Sequence, residues 1–454
     1  MTATSTGLLQ IAHFADLTRW SVHDAAFGKV KSRFPLVPLS RILKRSLEPI
    51  DVKDDRLYKR ITVRLYGQGV LQRDEVPGKE IGTKRQFVAH AGQLIISRID
   101  ARNGAFGLVP DSLENGIVTN DFWLFDVHDA LPEYVMLVLS SDPFQKYWQT
   151  QSSGTTNRQR VNGNDLFSSL IPLPTVAEQF RIVDSHRLTS EKAEWFRSEA
   201  FRVKQSIDDT ICELLEVSPS KANTTACIHG LSFVEYSCCD NWSVEYLLNR
   251  KNCDFLGASK YPVVKAKDFI CDFQYGLSEK ASNDNSGVPI LRMNNIQNSS
   301  IDISDLKYLQ ADIKSIDKYI LHQGDLLINR TNSKELVGKT AVFSLPGTYV
   351  FASYLIRVVI DQKIADVQYV NHLFASKIIR SQINLISRQV LGQANINVSE
   401  LQSLRFPLPP LAEQTRIVTK IESIIQKSNT LLKNAEELKH IANQQFTESV
   451  FNEA

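Results

Sequence analysis

By type and spacing, the residues of this 454-residue chain most able to do chemistry are its arginines, lysines, asparagines and glutamines. Lysine and arginine neutralise phosphates, while the arginine fork and the Asn or Gln amide make paired hydrogen bonds to a base edge. From Gly28 to Tyr66 there are eleven Lys or Arg against four acids, interleaved with Phe34, Leu36, Leu39, Ile42, Leu47, Tyr58, Ile61 and Val63. The interleaving marks a folded surface, which serves either as a solvated face or as a phosphate-contacting one. A polar segment, Gln151-Ser-Ser-Gly-Thr-Thr-Asn-Arg-Gln-Arg160, has a counterpart in Ser387-Arg-Gln-Val-Leu-Gly-Gln-Ala-Asn-Ile-Asn397. Both read as loops rich in donors.

Other chemistry finds no support. Val337-Gly-Lys-Thr340 resembles the end of a phosphate-binding loop, but Ser333 stands where the first glycine is required, and the stretch lies between strand-like runs. There is no G-x-S-x-G elbow, no H-E-x-x-H helix and no Asn/Asp-Pro-Pro-Tyr/Phe methyltransferase motif, and the nine histidines are scattered. Six cysteines (Cys212, Cys227, Cys238, Cys239, Cys253, Cys271) crowd one window without a C-x-x-C pair, so reduced thiols are expected there in preference to zinc. The start, Met1-Thr-Ala-Thr-Ser-Thr-Gly, has no export signal, and no run is long enough to cross a bilayer. A cytoplasmic location is expected. A net charge of +2 says little about partners; its distribution says more.

The elements that position these residues come in two copies. Pro172-Leu-Pro-Thr-Val-Ala-Glu-Gln-Phe-Arg-Ile-Val183 matches Pro407-Leu-Pro-Pro-Leu-Ala-Glu-Gln-Thr-Arg-Ile-Val418 at nine of twelve positions, 235 residues on. Gly92-Gln-Leu-Ile-Ile-Ser-Arg98 answers Gly324-Asp-Leu-Leu-Ile-Asn-Arg330, Tyr134-Val135 answers Tyr369-Val370, Leu166 answers Leu401, and Trp20-Ser-Val22 answers Trp242-Ser-Val244. These echoes indicate a two-fold internal repeat of a globular unit plus a long helix. Thr175 and Glu178 form a capping-box pattern at the first helix, and Pro410 suits the first turn of the second. Apolar or small residues then recur every three or four positions, from Val176 through Phe180, Ala193, Phe196, Ala200, Ile207 and Leu214, and from Leu411 through Val418, Ile425, Leu432 and Ala442. A seam that long calls for a partner helix, and the two pair most economically with each other; the alternative is that each packs on its own unit.

The fold class expected is α+β: two pseudo-repeated mixed α/β domains separated by two long helices in an antiparallel coiled coil. The boundaries are an N-terminal segment 1–18, a domain 19–174, a helix 175–217, a connector 218–240, a domain 241–409 and a helix 410–451. Within the domains, strands are expected at Gln93–Ser97, Ile117–Phe125, Val288–Met293, Asp325–Asn329, Thr340–Phe343 and Ala352–Ile360. Helices are expected at Pro132–Gln149 and Val367–Leu385.

The doubled Pro-Leu-Pro-x-x-Ala-Glu-Gln-x-Arg-Ile-Val before each helix, with Gly-Asp-Leu-Leu-Ile-Asn-Arg, resembles the specificity subunits of type I restriction–modification systems over essentially the whole chain. The resemblance implies that each repeat is a target-recognition domain reading half of a split double-stranded DNA site, with the helices setting the spacing. It implies a non-catalytic chain docked by two methyltransferase subunits that use S-adenosylmethionine, to which a motor-nuclease subunit using ATP and magnesium can add. This chain itself is expected to carry no cofactor and no metal. Thr175-Val176 in place of Pro410-Leu411 changes only the cap, whereas Gly104-Ala-Phe-Gly107 in place of the Val337-Gly-Lys-Thr340 region points to different half-sites.

The candidate DNA-binding residues in the first repeat are Arg56, Lys59, Arg60, Arg64, Lys84, Arg85, Arg98, Arg158 and Arg160. In the second they are Lys265, Lys267, Arg292, Asn294, Asn295, Arg330, Asn332, Lys334, Arg388, Gln389, Gln393 and Asn395. At each, a surface or strand-packing role competes. Glu178, Gln179, Arg181, Glu413, Gln414 and Arg416 are candidate partner-docking residues, with helix capping an equal explanation for the glutamates. Two other functions stay open: a coiled-coil protein scaffold without DNA specificity, and a divergent nuclease.

Overall fold

A computed structural model describes residues 32–65, 67, 69–99, 101, 104–150, 163–217, 256, 259–310, 316–390 and 393–451. The segments 1–18, 151–160 and 218–240 lie outside the described residues. The fold is mixed α/β and forms two compact units, residues 1–197 with 433–454, and residues 198–432.

In the first unit a four-stranded antiparallel sheet runs in the spatial order Leu43–Ser46, Phe122–Val127, Leu94–Ser97, Phe106–Leu108. The apolar run Leu94-Ile95-Ile96 is fully buried because strand residues alternate between two faces and both are covered. Leu94, Ile96, Phe106 and Phe125 pack with Tyr134, Val135, Val138 and Leu139 of a helix, α1 (Pro132–Ser140). Ile95 and Leu124 face the opposite way, onto Ile61, Val70 and Val118 of a second layer. That layer is a five-stranded sheet ordered Pro49–Asp51, Arg85–Ala89, Gly116–Val118, Leu57–Val63, Val70–Pro77. The expected strand Ile117–Phe125 is therefore two strands in two different sheets. The expected helix Pro132–Gln149 is also two, α1 and α2 (Asp142–Thr150). Extended Ser141 turns its hydroxyl back onto the Val138 carbonyl at 2.7 Å, and Pro143 opens the next turn.

The second unit has the same strand order in its main sheet: Ile270–Tyr275, Leu355–Ile360, Leu326–Asn329, Thr340–Val342. Leu326, Ile328, Ile356 and Val358 pack with Tyr369, Val370 and Leu373 of α5 (Val367–Ala375). Leu327, Ala341 and Leu355 face Leu291, Ile296 and Phe351. Ser376 breaks the expected helix Val367–Leu385 as Ser141 does its counterpart, its hydroxyl 2.6 Å from the Leu373 carbonyl, and α6 (Lys377–Ile386) follows. The expected strand Val288–Met293 stops at Leu291, where a 3-10 turn begins. The second layer differs from that of the first unit. It has a sheet ordered Lys307–Leu309, Val288–Leu291, Val350–Phe351, a hairpin of Ile296–Gln297 with Ser300–Ile301, and a sheet ordered Thr331–Asn332, Gln393–Asn395, Arg388–Val390. The expected loop Ser387–Asn397 is thus largely a hairpin.

Short helices, α3 (Gly163–Ser168) and α7 (Val398–Ser403), precede strands Leu170–Pro172 and Arg405–Pro407. These pair with Leu36–Pro38 and Val263–Lys265. The long helices follow: α4 is Val176–Leu214 and α8 is Leu411–Val450. Within the first unit, His186 of α4 lies 3.2 Å from Asn443 of α8, and Phe446, Val450 and Phe451 are buried against Tyr134 and its neighbours. Such burial contributes about 1.5–3 kcal/mol per side chain. Within the second unit, the Ser428 hydroxyl donates to the Ala200 carbonyl at 2.9 Å, and Ile211, Ile417 and Ile421 share one core. Val176 and Phe180 do not take the expected place on the apolar stripe. Phe180 is 63% exposed and Gln179 fully buried, because α4 turns the Gln179 side toward its own unit.

Candidate nucleic-acid interface

In the first unit the predicted cations gather on the five-stranded sheet, and pairing separates the free from the occupied. Arg60 makes a bidentate contact with Asp74, both distances 2.6 Å, across the Leu57–Val63 and Val70–Pro77 hairpin. That hydrogen bond holds the Asp74 carboxyl below its ordinary range and raises Arg60. Lys84 is held by Asp54 at 2.5 Å and by the Gly78 carbonyl at 2.8 Å, and Lys59 reaches the Ser112 carbonyl at 3.3 Å. Arg56, Arg64 and Arg85 are exposed. Arg158 and Arg160 lie outside the described residues.

Arg98 is held differently. It follows the strand Leu94–Ser97, its backbone N–H donates to the Asp121 carbonyl at 2.8 Å, and its guanidinium lies 5.2 Å from the centre of the Trp123 ring. Arg45 lies over the same ring at 5.9 Å.

In the second unit, Arg330 follows the strand Leu326–Asn329, its N–H donates to the Tyr354 carbonyl at 2.9 Å, and its guanidinium lies 4.7 Å from the Tyr275 ring centre. Beside it, Thr331–Asn332 pairs with Gln393–Asn395, and the Thr331 hydroxyl donates to Asn395 at 2.6 Å. This small sheet brings Arg330, Asn332, Gln393 and Asn395 together with the backbones of Arg388 and Gln389. Gln393, Asn294 and Lys267 are exposed, and Lys265 and Lys334 half-buried.

Some candidates are structural. Arg292 donates to the Asp305 carboxylate at 2.8 Å and to its backbone carbonyl at 2.9 Å. Asn295 is a correction: it is buried, accepts from the Arg292 N–H, and donates to the Asp302 and Asp305 carbonyls, so no donor remains for a base. Gln179 and Gln414 are corrections of the same kind. Gln179 accepts from the Leu131 N–H at 2.8 Å and donates to the Pro174 carbonyl at 2.9 Å, and Gln414 accepts from Asp366 and donates to Pro409 and Ile364. Both are fully buried, so neither touches a partner. Arg181 and Arg416 are exposed, with Glu413 paired to Arg416 at 2.5 Å. Glu178 is half-buried.

Sequence reasoning missed Trp123 and Tyr275 as supports for the two arginines. Each sits in a strand, Trp123 buried and Tyr275 exposed, and its role emerges only from cross-strand pairing. Among the described residues no group of three or more His, Cys, Asp or Glu side chains is placed to hold a metal ion, and no helix is long and apolar enough to cross a membrane. Cys212 and Cys271 are free; the other four cysteines lie outside the described residues.

Residues 259–440 match the Type I restriction modification DNA specificity domain. A Methanocaldococcus jannaschii protein, named as the MjaX type I restriction enzyme specificity subunit, is 31% identical over 198 residues, 42% of this chain and 46% of that relative. The EcoKI specificity subunit of Escherichia coli is 26% identical over 178 residues, 38% of each chain. The matches span less than half the length of these curated relatives. A solved chain, described under complex assembly and conformational transition of the type I R-M system, superposes with a TM-score of 0.54 at 18% identity, covering 93% of this chain and 98% of that one. Residues 259–440 thus match a type I restriction modification DNA specificity domain, and the fold of the chain is similar to that of a solved type I R-M chain.

Proposed function

We propose that this chain is the sequence-specific DNA-binding subunit of a type I restriction–modification complex, each unit reading one half of a bipartite duplex site. The observation that carries the reading is a common four-strand order beneath unlike second layers. A common framework can present DNA twice in the same way, while different second layers read different bases. Phosphate contacts from exposed cations supply affinity, and the Asn and Gln side chains near Arg330 supply base-edge contacts.

In this reading the units are pseudo-repeats, and α4 and α8 pair as an antiparallel coiled coil that sets the half-site spacing. The His186–Asn443 and Ser428–Ala200 contacts support an antiparallel pairing, since residue numbers rise along one helix as they fall along the other. The chain is non-catalytic. Two methyltransferase subunits carrying S-adenosylmethionine dock on it, with Glu178, Arg181, Glu413 and Arg416 as the accessible docking candidates. A motor-nuclease subunit brings ATP and magnesium.

The test is selection from a random duplex library by the chain co-purified with its modification subunits. Enrichment of a split sequence with a fixed gap is expected. Binding without enrichment contradicts the reading, as does a complex that ignores DNA, the scaffold outcome. Cleavage of DNA by the chain alone with a metal ion would mark a nuclease.

A further inference from the structure

We infer that Arg98 and Arg330 are a repeated pair of backbone clamps, gripping one phosphate in each half-site, and do not read bases. The inference rests on the DNA-binding reading above.

The two residues occupy one point of the common framework. Each follows the third strand of its four-stranded sheet, and each donates its backbone N–H to the residue just before the second strand, Asp121 or Tyr354. The turns that open these strands are also alike. Gly92 and Gly324 both have positive φ, +79° and +89°, which a side chain would strain. Gln93 and Asp325 accept from the His90 and His322 N–H groups at 2.9 and 2.8 Å.

The ring beneath each guanidinium comes from a different place, Trp123 on the second strand and Tyr275 on the first. Different neighbours thus produce one result: a flat cation on an aromatic face with its Nε buried, Arg98 also reaching the Asn120 carbonyl through Nη1 at 3.4 Å and the remaining terminal N–H groups uncommitted among the described residues. Among the described residues no carboxylate pairs with either arginine, in contrast to Arg60 and Arg292.

Residues that sit identically in two units reading different sequences must touch what the half-sites share. That shared element is the sugar–phosphate backbone, and a guanidinium's terminal donors match two phosphate oxygens. In the second unit such an anchor would bring the Thr331–Asn332 and Gln393–Asn395 strands into register with the base edges.

The experiment measures binding of the chain with its modification subunits to the library-selected duplex and to a random duplex, from 50 to 300 mM salt. The proteins are wild type, Arg98→Gln, Arg330→Gln, the double variant and both Lys variants, with melting curves for each. Each Gln variant should weaken binding to both duplexes by the same factor, roughly five- to tenfold near 0.1 M salt, and reduce the salt slope by about 0.9. The double variant should lose about twice that slope. The Lys variants, which keep the charge, should retain the wild-type slope, and the selected sequence should not change. Loss confined to the selected duplex would make these arginines base readers and overturn the inference, as would well-folded Gln variants with unchanged binding. A wild-type complex that cannot tell the two duplexes apart overturns the DNA-recognition reading, and this inference with it.

Discussion

Gln414 accepts the backbone N–H of Asp366 at 2.7 Å from a fully buried position at the start of α8. Its amide donates to the Pro409 and Ile364 carbonyls at 2.8 and 3.1 Å, so one side chain satisfies three backbone groups. Asp366 in turn caps α5, accepting from the Tyr369 N–H at 2.9 Å. A long helix and the domain that precedes it are joined by direct polar contacts. Gln414→Leu keeps the approximate volume and strands all three groups. The substitution is expected to cost about 2–4 kcal/mol in urea unfolding. A cost under about 1 kcal/mol would mean that the latch does not hold the helix.

The second contact at this junction is a tyrosine. The Tyr369 hydroxyl donates to the Pro407 carbonyl at 2.7 Å, and Tyr134 does the same to Pro172 at 2.9 Å. Burial pushes both phenols well above their ordinary range, so they remain donors. Tyr369→Phe and Tyr134→Phe should each destabilise by about 1–2 kcal/mol, an effect of removing one hydrogen-bonded oxygen from a buried site. Thermal melts of the two variants check this, and unshifted midpoints would contradict it.

His90 provides a pH signature for the first unit. Its two ring nitrogens lie 2.8 Å from Glu114 and from Glu48, and these hydrogen bonds raise its pKa above 6.5. A raised histidine stabilises the fold fully below its unfolded pKa, and that contribution fades as pH rises through the folded one. The effect is below about 1 kcal/mol, because the ring is partly exposed to water. The urea midpoint should therefore fall slightly from pH 6 to pH 8.5 in the wild type, and the fall should be absent in His90→Gln. An equal fall in both proteins would remove His90 as its source.

Much of this architecture is legible in the letters. The prolines and the Ala-Glu-Gln signature locate the starts of α4 and α8, and the Tyr134/Tyr369 echo marks the residues that lock them. Gln179 and Gln414 are visible but misleading: a polar residue in a repeated motif suggests a partner, yet backbone groups of the same unit consume its hydrogen bonds. Periodicity places Phe180 on the buried stripe, but in an amphipathic helix a rotation of one residue exchanges the buried Gln179 for the exposed Phe180. The Arg60–Asp74 pair is hidden because the partners lie 14 residues apart across a bulged hairpin. The second layer of the second unit is built partly from strands of two residues, too short for alternation to register.

The proposed spacer makes a dimensional prediction. One heptad added to each long helix, near Phe196 and Leu432, keeps an antiparallel seam in phase and lengthens it by about 10 Å, or roughly three base pairs. Both half-sequences should be kept with about three more unspecified bases between them, at lower affinity because the half-sites also rotate about the duplex. Two residues added per helix should do worse. An unchanged gap in a well-folded heptad variant would remove the helices as the spacer.

The most direct test of two independent readers is to replace residues 242–406 with the matching segment of a relative and map methylated positions in cells that carry the modification subunits. One half of the bipartite site should change while the other half stays as it was. A change in both halves together, or in neither, would contradict the account.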